Sequence, residues 1–286
     1  MDRITISTPA GPVSALSAGT GPRLHFAHAT GMNAQLYAQL LAPLAGDFAI
    51  TASDARGHGL TRLPADPAAL TSWDDFADDL NRLLDVIDGG ANWILAGHSM
   101  GAAVSILAAA QRPDRVAGMV LIDPAMLPFD VAAAVRAGAA IPNPMADQAA
   151  KRRSHFASRA DARAAWHGRG VFRTWADADL DAYIAGGMID TADGAALACT
   201  PAYESATFRS VSPHIEPAMA ALHCPFILLA GEQGSTVRDA ELAAFAGHPA
   251  CVRAERLAGT THFLPLERPE QVEAAIRAVS RASSAP

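Results

Sequence analysis

The sequence predicts an α/β fold: a mostly parallel, doubly wound sheet with an inserted helical lid. Two observations predict it. Short apolar runs alternate with amphipathic helical segments in the first and last parts of the chain, and an Ala-rich middle part breaks that rhythm. Alternating strands and helices imply crossover helices between parallel strands, and strands covered on both faces read as continuous apolar runs. The 286 residues, 50% of them hydrophobic, suit one domain with an inserted subdomain.

The individual elements follow from hydrophobic periodicity. Residues 1–6 alternate between polar and apolar side chains, as a strand does. Buried strands are then predicted at residues 23–27, 48–52, 93–96, 116–122, 226–230 and 252–257. Helices are predicted at residues 34–44, 72–88, 102–111, 237–245 and 269–280.

The middle part reads as a helical insertion. We assign residues 1–127 and 214–286 to the core and residues 128–213 to a helical lid, because this segment is rich in Ala and large aromatics and shows helical patterning. A lid over the carboxyl ends of parallel strands covers the place where such sheets bind ligands. Its side chains either line a substrate pocket or form the lid's own core; the pocket candidates are Trp166, Trp175, Tyr183 and Met188.

Composition excludes several classes of function. The net charge is -7 and the one dense basic run, Lys151-Arg152-Arg153, is short, so neither nucleic acid nor an anionic membrane surface is an expected partner. No apolar stretch approaches the roughly 20 residues of a membrane span. Three widely spaced cysteines, together with the absence of a secretion signal, indicate reduced thiols and a cytoplasmic protein. We expect a monomer or homodimer.

The strongest chemical signal is Gly97-His98-Ser99-Met100-Gly101, between a predicted strand and a predicted helix. A serine hydroxyl becomes a useful nucleophile when a sharp turn presents it to a base, and the flanking glycines permit that turn. The helix amino terminus behind Ser99 directs N–H groups towards a developing oxyanion. This pattern in this context predicts a nucleophilic Ser99.

Three further segments, with this motif, resemble the α/β-hydrolase fold family. His28-Ala29-Thr30-Gly31 resembles its oxyanion loop, Asp54-Ala55-Arg56-Gly57-His58-Gly59 resembles the stretch after the fourth strand, and Gly259-Thr260-Thr261-His262-Phe263 resembles the loop that carries the catalytic histidine. The resemblance covers nearly the whole chain. It implies His262 as the general base, since an imidazole titrates near working pH. It also implies an oxyanion hole of the Met100 N–H and the Thr30 N–H, with Gly31 as the alternative to Thr30.

The resemblance also implies a third catalytic residue, an acid that orients the His262 imidazole. Two residues are candidates for this acid. Many family members carry an Asp after the strand that is here 226–230, but this chain has Gly231-Glu232-Gln233-Gly234 there. Other members carry the acid after the preceding strand, where this chain has Asp123. A carboxylate at that strand end can fix the tautomer of the imidazole. Asp123 is therefore the preferred acid and Glu232 the alternative.

These residues predict a serine hydrolase that acts on a carboxylic ester of a small or medium apolar substrate through an acyl-enzyme. Carbon–carbon bond hydrolysis of ring-fission products uses the same triad and stays open, as does a catalytically silent ligand-binding protein on this fold. Neither a dinucleotide-binding nor a phosphate-binding glycine pattern occurs, so no cofactor is expected. The histidines lack a third ligand at suitable spacing, so no metal is expected.

Overall fold

The computed structural model describes residues 1–90 and 92–284, so residues 91, 285 and 286 of the predicted core lie outside the described part. The strands are β1 (Asp2–Thr8), β2 (Gly11–Ala18), β3 (Arg23–Ala27), β4 (Ala49–Ser53), β5 (Trp93–His98), β6 (Val116–Ile122), β7 (His155–Phe156), β8 (Met188–Thr191), β9 (Gly194–Leu197), β10 (Phe226–Gln233) and β11 (Cys251–Thr261). Over these ranges, eight of them form the main sheet in the order β1-β2-β4-β3-β5-β6-β10-β11.

The helices are α1 (Ala38–Leu41), α2 (Asp74–Asp88), α3 (Met100–Gln111), α4 (Phe129–Arg136), α5 (Pro144–Ala149), α6 (Arg159–Trp166), α7 (Asp177–Gly187), α8 (Pro201–Arg209), α9 (Ile215–Ala220), α10 (Asp239–Ala246), α11 (Leu264–Glu267) and α12 (Pro269–Ser283). Short 3-10 turns flank α1 at Ala34–Tyr37 and Ala42–Leu44.

Six neighbouring strands of the main sheet are parallel to one another, in the spatial order β4-β3-β5-β6-β10-β11. The sheet is covered on both faces. Alternate residues of one strand pack into different clusters: Ile94 and Ala96 face the side of α12, whereas Trp93 and Leu95 face α2 and α3. This division follows from the two-residue period of a strand. It confirms the predicted mostly parallel, doubly wound sheet, whose carboxyl ends all open at one edge.

The amino-terminal strand pairs with a strand that the sequence analysis did not predict. β1 and β2 form an antiparallel hairpin, and β2 joins the sheet antiparallel to β4. The segment of β2 contains Gly11, Pro12 and several small residues, so its hydrophobic pattern was weak.

The segment between β6 and β10 is not purely helical, which corrects the sequence prediction for residues 128–213. Residues 128–213 contain α4 to α8 and an antiparallel sheet of β7, β9 and β8, and α9 follows before β10. These strands have only two to four residues. In β9 the sequence Gly-Ala-Ala-Leu carries no β-branched or aromatic side chain that would have signalled a strand.

Within residues 1–90 and 92–284, no helix combines the length and the apolar character that crossing a membrane requires.

Candidate active site

Ser99 lies in the sharp turn between β5 and α3, with φ +55° and ψ −117°. Positive φ is strained for a residue with a side chain, so its surroundings must hold it. The Ser99 N–H donates to the Ile122 carbonyl at 2.9 Å, which ties the turn to β6. Gly97 and Gly101 lie two residues on either side: a Cβ on Gly97 would collide with the Gly101 carbonyl carbon, and one on Gly101 would collide with the Ala27 carbonyl oxygen. Both glycines are therefore required by close packing of strand against helix.

The hydroxyl of Ser99 is joined to an imidazole from the far end of the chain. His262 follows β11 directly, and its Nε2 lies 3.0 Å from Ser99 Oγ. Its Nδ1 lies 2.5 Å from Asp123 Oδ2. Because a carboxylate only accepts, a proton on Nδ1 donates to Asp123, which leaves Nε2 free to accept from the Ser99 hydroxyl. This is the tautomer that a general base requires.

Asp123 lies at the end of β6, is fully buried, and has φ +42°. Its Oδ1 accepts the Gly231 N–H at 3.2 Å and the Ser235 hydroxyl, and its Oδ2 accepts the Thr236 N–H at 3.4 Å as well as the His262 Nδ1–H. A buried carboxylate is costly unless hydrogen-bond donors satisfy its oxygens, as these donors do. β10 supplies one of them, from Gly231, and the loop after β10 supplies two, from Ser235 and Thr236.

Glu232 occupies a different place, so its role as the alternative acid is wrong. The side chain is exposed, and its Oε2 accepts the Gly259 N–H at 2.9 Å. It thereby links the end of β10 to the turn in β11 and makes no hydrogen bond to the imidazole of His262.

His98, next to Ser99, belongs to a buried chain of hydrogen bonds. Its Nε2 lies 2.7 Å from the carbonyl oxygen of His262, and its Nδ1 lies 2.7 Å from the Tyr37 hydroxyl. A carbonyl only accepts, so Nε2 carries the proton and Nδ1 accepts from Tyr37. Tyr37 in turn accepts from the Ala29 N–H at 3.4 Å. Burial keeps the pKa of His98 well below its usual value, so the ring stays neutral.

The turn from Ala29 to Met32 is the predicted source of the second oxyanion donor. Its ends are joined by the Met32 N–H to the Ala29 carbonyl at 3.0 Å, and Gly31 has φ +71°. In the described part of the chain, neither the Thr30 N–H nor the Met100 N–H donates to a protein acceptor. Thr30 borders the same cavity as Ser99, while Gly31 does not.

His28 fixes this turn from behind. Its Nδ1–H donates to the Ala29 carbonyl, and its Nε2 accepts the Ala55 N–H at 2.9 Å. Burial lowers the pKa of His28 to about 4, and burial likewise lowers the pKa values of His25 and His58 to about 3. These rings are therefore neutral structural groups. Among the residues that the structure describes, no three His, Cys, Asp or Glu side chains are arranged to hold a metal ion.

A cavity of about 530 Å³ opens above Ser99 and His262, a volume typical of small-molecule sites. Its walls are mainly apolar and come from the loop after β6, from α5, from α8 and from the turn before α7. The larger apolar side chains that line it are Met32, Trp73, Met126, Leu127, Met145, Val171, Phe172, Phe208, Val211 and Phe263.

None of the four pocket residues named from the sequence is among the described residues that line this cavity. The prediction of the pocket lining is therefore wrong. Tyr183 and Met188 are buried within the segment between β6 and β10. Trp166 stacks on Phe172 at a centroid distance of 5.5 Å, and Trp175 packs edge-on against Phe263 at 5.3 Å. Phe172 and Phe263 thus separate the tryptophans from the cavity. The lining methionines and valines carried no distinguishing signal in the sequence.

Together Ser99, His262 and Asp123 can move a proton from the Ser99 hydroxyl to the His262 imidazole beside an apolar cavity. This is the arrangement of a nucleophilic hydrolase site. The model of the alpha/beta hydrolase family matches residues 26–275. The chain belongs to that family.

Two of the similar proteins are named as hydrolytic enzymes. A stretch of 107 residues is 38% identical to 2-(acetamidomethylene)succinate hydrolase of Mesorhizobium japonicum, covering 37% of this chain and 36% of that protein. A stretch of 114 residues is 36% identical to human monoglyceride lipase, covering 38% and 37%. The aligned parts therefore span little more than a third of these relatives.

Solved structures agree over the whole fold. The crystal structure of E-2-(acetamidomethylene)succinate hydrolase superposes with a TM-score of 0.79 at 24% identity, covering 98% of this chain and 99% of that one. A thermophilic esterase from Thermogutta terrifontis superposes with a TM-score of 0.68 at 21% identity over the full length of both chains. At these identities the likeness supports the fold alone.

Proposed function

We propose that this chain is a serine hydrolase that cleaves a carboxylic ester of a small or medium apolar substrate through an acyl-enzyme. The observation that carries the proposal is the continuous hydrogen-bond chain from Ser99 Oγ through His262 to Asp123, placed at the floor of an apolar cavity. Such a chain activates a hydroxyl that is otherwise a poor nucleophile.

The reaction follows from these atoms. Ser99 Oγ attacks the ester carbonyl carbon while its proton passes to His262 Nε2, and Asp123 stabilises the imidazolium. The negative charge that forms on the carbonyl oxygen accepts hydrogen bonds from the N–H groups of Met100 and Thr30. His262 then returns the proton to the leaving alcohol oxygen, which breaks the ester bond and leaves an acyl-Ser99. Water, deprotonated by His262 Nε2, then attacks the acyl carbon. His262 returns the proton to Ser99 Oγ as the acyl–serine bond breaks and the carboxylic acid is released.

The cavity supports an apolar acyl or alcohol part. Its mouth carries Met145 and Val171, which are 57% and 54% exposed, and its interior is lined by Trp73, Phe172 and Phe208. Exposed apolar side chains at the entrance of an apolar cavity favour binding of an apolar ligand. The names of two relatives, a lipase and a succinate-derivative hydrolase, agree with hydrolysis and differ in substrate.

The test is a panel of 4-nitrophenyl esters from acetate to octanoate, with wild type and Ser99→Ala. We expect turnover by the wild type and a loss of at least about 10⁴-fold in kcat for Ser99→Ala. Ser7→Ala, which removes an exposed hydroxyl from β1, is the matched control and should retain full activity.

A fluorophosphonate probe with peptide mass spectrometry separates this proposal from its rivals. Labelling at Ser99 in the wild type supports an activated nucleophile and speaks against a silent binding protein. Turnover of a dienoate ring-fission substrate, without turnover of simple esters, would replace ester hydrolysis by carbon–carbon bond hydrolysis. An unlabelled Ser99 in a folded protein would refute the proposal.

A further inference from the structure

One wall of the cavity carries a paired charge. Arg152, which follows α5, donates from Nη1 to both carboxylate oxygens of Glu204 on α8, at 3.1 and 3.0 Å. Its Nη2 donates to the hydroxyl of Tyr183 on α7 at 2.6 Å. The side chains of Arg152 and Glu204 are only 21% and 9% exposed. This ion pair is therefore largely removed from solvent and faces the substrate space.

The carboxylate of this pair lies beside the oxyanion turn. A Cβ built on Gly31 would lie 2.3 Å from Glu204 Oε1, so Glu204 packs directly against the turn that presents the Thr30 N–H. Thr30, Arg152 and Glu204 all line the cavity with Ser99. A charge at this position is close enough to the reacting centre to influence which substrates enter.

The charges of the wall cancel. Among the described residues that line the cavity, Arg152 and Glu204 are the ones that are charged, apart from the titratable His262. Burial alone would lower the pKa of Arg152, but its contacts with Tyr183 and Glu204 outweigh burial and raise it, so the guanidinium remains charged. Its positive charge is already matched by one carboxylate.

We propose that the Arg152–Glu204 pair makes this cavity selective for neutral esters and rejects substrates whose acyl part ends in a carboxylate. This inference rests on the proposed ester hydrolysis and names its substrate class. A carboxylate entering the cavity would lose its hydration, would find the guanidinium already paired, and would be repelled by Glu204.

An uncharged oxygen on the substrate meets no such penalty. A guanidinium has five N–H donors, and the described contacts of Arg152 occupy at most three of them. A neutral carbonyl, hydroxyl or ether oxygen can therefore accept from Arg152 without bringing a net charge into the cavity. An apolar chain end can instead pack on Phe172 and Phe208.

The test compares 4-nitrophenyl pentanoate with mono-4-nitrophenyl glutarate, which have acyl chains of equal carbon number ending in a methyl and a carboxylate. We expect the wild type to favour the pentanoate at least 100-fold in kcat/KM. Glu204→Gln keeps the shape but frees the positive charge of Arg152, and should lower this preference at least tenfold by raising activity on the glutarate. Glu216→Gln, which breaks the surface pair with Arg136, is the matched control and should leave the preference unchanged.

Binding to Ser99→Ala provides a readout that does not depend on turnover. Calorimetry with both uncleaved esters should show the pentanoate binding at least tenfold more tightly, and Glu204→Gln in the same background should narrow that difference. Equal or tighter binding of the glutarate, or an unchanged preference in a folded Glu204→Gln protein, would overturn the inference. Selective binding without any turnover by the wild type would uphold the inference and count against ester hydrolysis.

Discussion

Replacing Asp123 with Asn should abolish most of the activity without removing any catalytic atom of Ser99 or His262. The carboxylate receives two donors on each oxygen: Gly231 and Ser235 on Oδ1, and Thr236 and His262 on Oδ2. An amide can accept on one oxygen only. If that oxygen stays with the Oδ1 donors, the NH₂ group faces the imidazole.

The consequence is a change of tautomer. An NH₂ group at 2.5 Å from Nδ1 can only donate, so the His262 proton moves to Nε2 and the ring can no longer accept from Ser99. Loss of the correct tautomer in such triads lowers kcat about 10⁴-fold, equivalent to about 5.4 kcal/mol of activation free energy. The Thr236 N–H loses its acceptor too, which we expect to cost about 1–3 kcal/mol of stability.

The assay is kcat on the best 4-nitrophenyl ester, with melting temperature and circular dichroism as checks on folding. Glu232→Gln is the matched control, since it also converts a carboxylate to an amide, on the neighbouring strand β10, and its kcat should stay within about twofold of wild type. A folded Asp123→Asn protein with more than a tenth of wild-type kcat would refute the tautomer argument, and a crippled Glu232→Gln would return the acid to that residue.

Three further outcomes follow from the structure. His98→Phe removes the donor to the His262 carbonyl and should lower kcat roughly tenfold with little change in KM; an unaltered kcat would show that the contact does not position the base. Gly101→Ala sets a Cβ against the Ala27 carbonyl and should cost at least about 3 kcal/mol, or roughly 6 °C in Tm, whereas Gly46→Ala, which meets no atom within 4 Å, should not. His25, His28 and His58 are among the buried histidines whose pKa values are lowered by burial. Below pH 6.5 the unfolded chain binds protons that the native ring of His28 cannot take until near pH 4, and that those of His25 and His58 cannot take until near pH 3. Urea unfolding should therefore show stability falling by about 1.4 kcal/mol per histidine per pH unit. A flat profile from pH 6.5 to 4.5 would contradict their burial as neutral rings.

Much of the core was predictable because its strands are short, apolar and separated by clear helical periods. Strands β3 and β6 begin and end at the predicted residues, and the predicted β11 was too short because residues 258–261 are small and polar. The prediction failed where local pattern carried little information. β2 pairs with β4 and β7 pairs with β9, and hydrophobic periodicity does not report such pairing with strands distant in the sequence.

The proximity of Ser99 and His262 could be predicted from the sequence, whereas the lining of the cavity could not. Ser99 and His262 stand in short motifs whose glycines and neighbours are dictated by a strained backbone and a tight turn. The cavity wall depends on how the lid packs, and any apolar side chain of suitable volume serves there. Large aromatic side chains such as Trp166 and Trp175 pack favourably against other rings, and here they pack against Phe172 and Phe263 instead of lining the cavity.

The topology explains why Asp123 at the end of β6 can hydrogen-bond the imidazole of His262, whereas the loop after β10 contributes no carboxylate to that imidazole. β6 lies between β5 and β10 in the sheet, so its end is adjacent both to Ser99 and to that loop. The Asp123 N–H donates to the Leu229 carbonyl at 2.7 Å, which ties the acid to β10. β10 and the loop after it then contribute donors, from Gly231 in the strand and from Ser235 and Thr236 in the loop, in place of a carboxylate. Two neighbouring strand ends thus divide the work: the end of β6 carries the carboxylate, and the end of β10 with its loop supplies the hydrogen bonds that this carboxylate accepts.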